Sequence, residues 1–282
     1  LDNVYDPELD ESILKLGFVD EVQIEGSDVT VLYRLPTYWC APNFAYMMSA
    51  DVRTEVGQVP GVQSVRVVLS NHCTETEINS AINRGASFRE AFPDDALDDL
   101  DDLRRRFFEK SFLARQEQLI RRLRHAGLSD EQIVALRLSD LTLDGEDVLV
   151  KNQELRTKNQ GDADVNSGFL VLGSSATRVR LGAGDLAKYL RKRRLLGLPD
   201  ASVDGLFCAL DGTLLSAEEL PDYLRRTRTM RVSLAFNTTL CEGLRRTQYN
   251  PERSADTSSV ADGLLSIRDV SGHVTQRVEI RD

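Results

Sequence analysis

The chain has 282 residues, 45 acidic against 35 basic, a net charge of −10 and an isoelectric point near 5.0. That length suits one large or two ordinary domains with a proper core, and the acidic balance argues against a surface that holds DNA as a whole, because neutralising phosphates needs a basic face. Cys40, Cys73, Cys208 and Cys241 are far apart, with no CxxC pair, which excludes a disulfide framework or structural zinc by spacing and points to a reducing cytoplasm. No apolar run approaches the ~20 residues that span a bilayer, and no charged-then-apolar leader opens the chain, so an intracellular soluble protein is expected.

The charge is unevenly shared. Residues 1–103 carry 20 acidic and 6 basic side chains, net −14, and the remainder carries 25 and 29, net +4, which predicts two domains of different character. Asp6-Pro7-Glu8 followed by Leu9, Ile13, Leu14, Leu16 and Gly17 predicts a short helix, acidic in its first turn and stopped by glycine. Val19–Ile24 and Val29–Leu35 alternate across Glu25-Gly26-Ser27-Asp28 and predict a β-hairpin. Phe44, Met47, Met48, Val52 and Val56 recur at helical spacing up to Gly57, and Pro60-Gly61 turns the chain into a third strand, Val65–Leu69. The order predicts an α+β sheet with helices on one face. Phe44, Tyr46, Met47 and Met48 are expected in the core.

Cys40 lies in Pro36-Thr37-Tyr38-Trp39-Cys40-Ala41-Pro42-Asn43-Phe44, where a strand ends and a helix begins. Unpaired N–H groups at a helix start favour a thiolate, which makes Cys40 the leading candidate; the alternative is a small apolar residue filling the junction. Asp6-Pro7-Glu8-Leu9, Ser12-Ile13, Leu16-Gly17-Phe18-Val19, Thr37 with Cys40, and Pro60-Gly61-Val62 leading to Val65 and Val67 resemble the MIP18/DUF59 family, which includes iron–sulfur assembly factors of the SufT and PaaD type. The resemblance covers roughly the first 70 residues. It implies a role in metalloprotein maturation, with Cys40 at the family's cysteine and Glu8 at its acidic position, handling iron or an iron–sulfur cluster transiently. The family usually has proline directly after the cysteine, whereas Ala41 intervenes here. The Tyr38–Phe44 stretch also resembles a subset associated with bacterial di-iron monooxygenase systems.

Beyond the third strand, Thr74 and Glu77 are spaced as a capping box, and Ile78, Ile82 and Ala86 predict a helix packed on the sheet. A sharper reading adds His72 and Cys73 to Cys40 and Glu8 as metal ligands, since imidazole, thiolate and carboxylate are suitable donors. Asp94, Asp95, Asp98, Asp99, Asp101 and Asp102 lack the glycine and closing glutamate of a calcium loop and mark an acidic linker or the opening of the next helix.

In the second half, helices are predicted from Leu103 to Gly127, from Ser129 to Leu138 and from Asp185 to Leu196, with a hairpin over Leu141–Val150 and strands near Phe169–Gly173 and Thr177–Leu181. The run from Gly127 to Leu141, then Tyr189-Leu190, Leu206-Phe207, Gly212–Ser216 and Leu244-Arg245-Arg246-Thr247, resembles the catalytic domain of tyrosine recombinases. Ser129 replaces the first arginine, Glu242 and Arg246 replace the box histidines, and Tyr249 stands too close to Arg245 to be the nucleophile. Only Arg245 matches, so the expectation is a mainly helical, degenerate recombinase-like domain without strand-transfer activity.

Arg191–Arg194 and Arg225–Arg231 are basic runs read as contacts to the acidic first domain or a partner rather than to DNA. Cys208 and Cys241 are expected to be structural. A mobile loop is predicted for Pro251–Asp262, followed by a terminal hairpin that pairs with a sheet of this chain or of a neighbour. The domain scheme is 1–93, MIP18-like; 94–103, acidic linker; 104–250, recombinase-like; and 251–282, loop and hairpin. The implied partners are a client metalloenzyme or assembly proteins, with a homo-oligomer left open and neither DNA nor membrane involved. No enzymatic turnover is expected, and a non-catalytic adaptor or DNA-binding regulator is the alternative.

Overall fold

A computed structural model of the chain describes residues 1–94, 100–144, 147–151, 176–179, 182–248, 264–268 and 274–279. Two compact units emerge: Leu1–Phe107 together with Leu234–Asp282, and Phe108–Ser233. This division differs from the sequence scheme, because the chain's last segment returns to the first unit. The fold is α+β, as its order of strands and helices predicts.

The first unit is built on a five-stranded sheet. The predicted hairpin forms from β3 (Val19–Glu25) and β4 (Asp28–Arg34), turning at Gly26, whose φ of 64° is the left-handed conformation that glycine adopts without strain. β5 (Ser64–Ser70) adds parallel to β4, with Val31 opposite Val67 and Tyr33 opposite Leu69. A crossover through α1 (Pro42–Gly57) makes that parallel pairing reachable. The terminal hairpin, β9 (Leu264–Arg268) and β10 (Val274–Glu279), pairs antiparallel within itself and joins the sheet with β9 parallel to β3, giving the order β10-β9-β3-β4-β5. The loop predicted before it lies outside the described residues.

Alternation in β4 buries Val29, Val31 and Tyr33 against Met48, Val52 and Val56 of α1 and Ile78 and Ile82 of α2 (Glu75–Arg84). Each such side chain contributes roughly 1.5–3 kcal/mol by leaving water. The Tyr33 hydroxyl donates to the Ala45 carbonyl at 3.0 Å and lies 2.6 Å from Ser49 Oγ, tying the strand to the head of α1. On the outer edge of β5, Asn79 of α2 accepts from Leu69 N and donates to Leu69 O, both at 2.8 Å, while Asn83 does the same for Val67 at 2.9 and 2.8 Å. Two asparagines four residues apart thus stand in for a sixth strand.

Three local expectations fail here. Residues 6–17 form no helix but two short paired strands, β1 (Tyr5–Asp6) and β2 (Glu11–Ser12), joined by turns. Asp6 Oδ1 accepts from Glu8 N and Leu9 N as an N-cap does, but Asp10 then enters the left-handed region (φ 52°) and Ile13 N bonds Val4 O at 2.9 Å, closing a loop after one turn. Thr74 precedes α2 without capping it through its side chain, because its hydroxyl lies at His72 instead. The predicted helix through Ala86 stops at Gly85 (φ 76°), and a separate turn of helix, α3 (Phe88–Ala91), starts with a capping box between Ser87 and Glu90.

The second unit takes most of α4 (Leu100–His125), then α5 (Asp130–Ala135), a small antiparallel sheet of β6 (Leu141–Asp144), β7 (Asp147–Lys151) and β8 (Ala176–Val179), α6 (Ala183–Leu195) and the start of α7 (Leu220–Gln248). Ser129, the residue standing at the recombinase arginine position, caps α5 in a capping box with Gln132. Asp101 and Asp102 belong to the first turn of α4 rather than to a linker, and Leu123, Ile133, Val148, Tyr189 and Phe207 share one core. Tyr249 and the strand expected at Phe169–Gly173 lie outside the described residues.

The basic run ending α6 departs most from its reading as a contact surface. Arg193 is fully buried, donating through Nε to Pro199 O at 2.6 Å and through one terminal nitrogen to Leu206 O at 2.5 Å. Lys192 is buried with its ammonium 4.6 Å from the Phe108 ring centroid. Arg231, from the other basic run, pairs with buried Glu117 at 2.5 Å. Three of the cations expected to face a partner are therefore spent inside this unit.

Candidate functional site

Cys40 lies in the loop before α1, one residue ahead of the cap position Ala41, and the loop is held from two sides. Its N–H reaches Thr37 O at 3.5 Å, and its sulfur lies 3.2 Å from Thr37 Oγ1. Its carbonyl oxygen meets His72 Nε2 at 2.8 Å. His72 Nδ1 accepts from Thr74 N at 3.2 Å, which assigns the remaining ring proton to Nε2 as donor to Cys40 O. The Thr74 hydroxyl lies 3.1 Å from the same Nδ1. The adjacent Cys73 N–H donates to Tyr38 O at 3.0 Å. Two loops, 36–41 and 71–74, are therefore laced together beneath the thiol.

The sequence expectation that the helix start lowers the Cys40 thiol is reversed. Burial pushes it up, the Thr37 hydrogen bonds oppose this, and the negative charges of Asp6 and Glu8 raise it further. The helix offers little compensation, since its first residue is Pro42, with no N–H, and Ala41 provides no side-chain cap. Cys40 is therefore a neutral, half-buried thiol at pH 7.

Glu8 stands on the loop after Asp6, and its Oε1 accepts from Asn237 Nδ2 at 3.1 Å. Four residues on, the face of α7 that carries Asn237 also carries Cys241, packed on the same core as Cys40. Burial, and then the charges of Asp6, Cys40 and Glu8, push the Cys241 thiol up to about 11. A further turn along, the Arg245 guanidinium fills the space that a Cβ on Gly17 would need. The one residue matching the recombinase box thus packs on the first unit's N-terminal loop. Asp6 is raised to about 6, because burial outweighs the two N–H groups it accepts.

The expected ligand set of Cys40, Glu8, His72 and Cys73 is brought into one neighbourhood but not into one coordination sphere. His72 is buried with both ring nitrogens engaged, and burial lowers its pKa, so it shapes the loop as a neutral imidazole. Cys73 is exposed. Among the described residues no three His, Cys, Asp or Glu side chains are grouped to hold a metal ion. Sequence reading missed Asp6 as a buried charge and Cys241 as a neighbour of Cys40. The four-residue spacing of Asn237 and Cys241 is the only trace of the latter, and it does not say what that face covers.

Residues 1–68 match the family model described as iron-sulfur cluster assembly protein. The N-terminal part of the chain is therefore similar to an iron–sulfur assembly domain, and the match includes Glu8 and Cys40 while stopping short of His72, Cys73, Cys241 and the second half of the chain. No curated protein and no solved structure matches the chain. Among the described residues no helix is long and apolar enough to cross a membrane.

Proposed function

We propose that this chain is a non-catalytic accessory factor in metalloprotein maturation, which takes iron or an iron–sulfur cluster as transient cargo on Cys40 and passes it to a client protein. The observation that carries this reading is the half-buried Cys40 thiol, seated in the matched domain with the carboxylates of Asp6 and Glu8 close enough to raise its pKa. Those carboxylates disfavour a bare thiolate but favour a bound cation, so the site is tuned to accept a metal and to be a poor nucleophile without one. Iron ligation displaces the thiol proton, and the cation's charge then offsets the repulsion.

The cargo is shared. With no three-donor group among the described residues, the client or an assembly protein completes the coordination sphere, which also gives the cargo a direction in which to leave. A di-iron monooxygenase is the client class that the Tyr38–Phe44 resemblance favours, and a cytoplasmic setting fits four unpaired cysteines. The recombinase-like half serves as a scaffold. Burial of Lys192 and Arg193 removes cations that a DNA-binding reading needs.

Anaerobic reconstitution with ferrous iron and sulfide, followed by metal analysis and client activation, tests this proposal. Wild type acquires iron and activates the client, while Cys40→Ala does neither. Equal iron content and equal activation in the two proteins would sink the thiol role and leave an adaptor.

A further inference from the structure

Trp39 is the only tryptophan of the chain and, at 78 %, the most exposed large apolar side chain among the described residues. It is not loosely placed. Its ring stands edge-on to Tyr38 with centroids 4.8 Å apart, and Tyr38 is fastened through its carbonyl to Cys73 N. Leaving an indole in water forfeits roughly 1.5–3 kcal/mol of burial, and a rigid aromatic beside the functional thiol is the kind of anchor that dominates interfaces.

The surroundings select the partner. Residues 5–11, 36–42 and 71–77, which meet at Cys40, contain Asp6, Glu8, Asp10, Glu11, Glu75 and Glu77 and no lysine or arginine, and α7, which adds Cys241 to the same neighbourhood, brings Arg245 only as far as Gly17. An exposed indole next in sequence to Cys40, where the carboxylates of Asp6 and Glu8 act and Glu75 accepts from His72 N, suits a cation that can stack on the ring and pair with nearby acid, and a guanidinium does both. It disfavours an acidic peptide or an anionic lipid surface.

We propose that Trp39 and these nearby carboxylates form a docking site for an arginine-rich segment of the protein that exchanges cargo at Cys40. The proposal rests on the delivery role of Cys40 for its biological sense, but the docking itself needs neither the thiol nor iron. An arginine seated on Trp39 brings its own chain over Cys40, where the remaining ligands are needed, and its positive charge lowers the cost of forming the thiolate.

The test uses the full iron-free chain and an acetylated, amidated hexa-arginine peptide, read by the emission of Trp39. Saturable quenching is expected, weakened at least ~10-fold by 0.5 M salt and absent with hexa-glutamate. Because an acidic chain attracts cations elsewhere, anisotropy of a labelled hexa-arginine supplies the control: Trp39→Ala and the Glu75→Gln/Glu77→Gln pair each weaken binding about 10-fold, in the range of an interface anchor. Cys40→Ala keeps peptide affinity while losing iron, which separates this proposal from the cargo role. Unchanged Trp39 emission, equal affinity in Trp39→Ala, or a blue shift on neutral phosphatidylcholine vesicles in place of peptide binding each overturns it.

Discussion

Cys40 and Cys208 are both held by a buried polar side chain, and both thiols are raised above their ordinary range by burial first. His72 grips the Cys40 carbonyl, and Gln116 grips the Cys208 carbonyl at 2.9 Å while accepting from Cys208 N at 3.3 Å. There the likeness ends. Cys208 is fully enclosed, among Phe207, Tyr189 and Tyr223, with the Arg193 charge opposing its shift. Cys40 is half-open, flanked by a hydroxyl and by carboxylates that add to its shift. A fixed backbone and nearby carboxylates, Asp204 and Asp211 for Cys208, are common to the packing cysteine and the functional one; access, and an arginine charge that opposes the shift at Cys208 alone, distinguish them.

Thiol labelling makes the sharpest break between the two. Iodoacetamide at pH 8.5 should modify Cys40 in the native protein, whereas Cys208 labels only through opening of its unit, several orders of magnitude more slowly. Comparable rates at both sulfurs, read by peptide mass mapping, would dissolve the comparison.

Next in size is the buried network of the second unit. Gln116 also donates to Tyr223 Oη at 2.6 Å and accepts from Tyr189 Oη at 2.7 Å. Gln116→Leu strands the Cys208 backbone groups and a tyrosine hydroxyl, and should cost about 3 kcal/mol in urea unfolding, without altering iron uptake by Cys40.

His72→Ala should cost about 2 kcal/mol, since it leaves the Cys40 carbonyl and Thr74 N without their partner. It should also impair cargo loading, and His72→Gln, which retains a donor, should recover part of both. A ligand role for His72 would instead show as lost iron with stability unchanged.

The smallest effect concerns pH. Asp6 is raised in the fold from its ordinary 3.8 to about 6, so its contribution to stability is fully present below pH 3.8 and is lost as pH rises through 6. Asp6→Asn keeps the acceptor oxygen for Glu8 N and Leu9 N but removes the charge, and should therefore stabilise the protein at pH 8 by about 1–3 kcal/mol. It should do nothing at pH 3.5. A destabilised variant at pH 8 would show that the Asp6 charge is better accommodated than its burial implies.

Much of the first unit is legible from period and turn chemistry. The β3–β4 hairpin, α1, β5 and the terminal hairpin follow from alternation, helical spacing and glycine at the turn, whereas the pairing of that hairpin with β3 rather than with a neighbour does not. Residues 6–17 mislead because one helical turn and a capped loop share the same acidic, proline-led opening, and only Asp10's backbone decides between them. That Cys40, Glu8, His72 and Cys73 lie in one neighbourhood is a tertiary fact that their spacing does not show, and so is which atom of His72 faces which loop. Cys241 was out of reach for a different reason: its approach joins positions some 200 residues apart in sequence, and pattern carries no such distance. The basic end of α6 shows the converse limit, because Arg193 and Lys192 read as solvated until the carbonyls and ring that receive them are known.

The asparagine pair on the edge of β5 has a consequence for how this protein meets others. Strands at sheet edges invite further strands, and unguarded ones recruit aggregates or extended peptides. With the Val67 and Leu69 backbone groups already occupied by Asn79 and Asn83, that edge cannot template a β-zipper or capture a client in extended form. Association at this end of the sheet must run through side chains and loops. Replacing the two asparagines would turn a discriminating surface into an adhesive one.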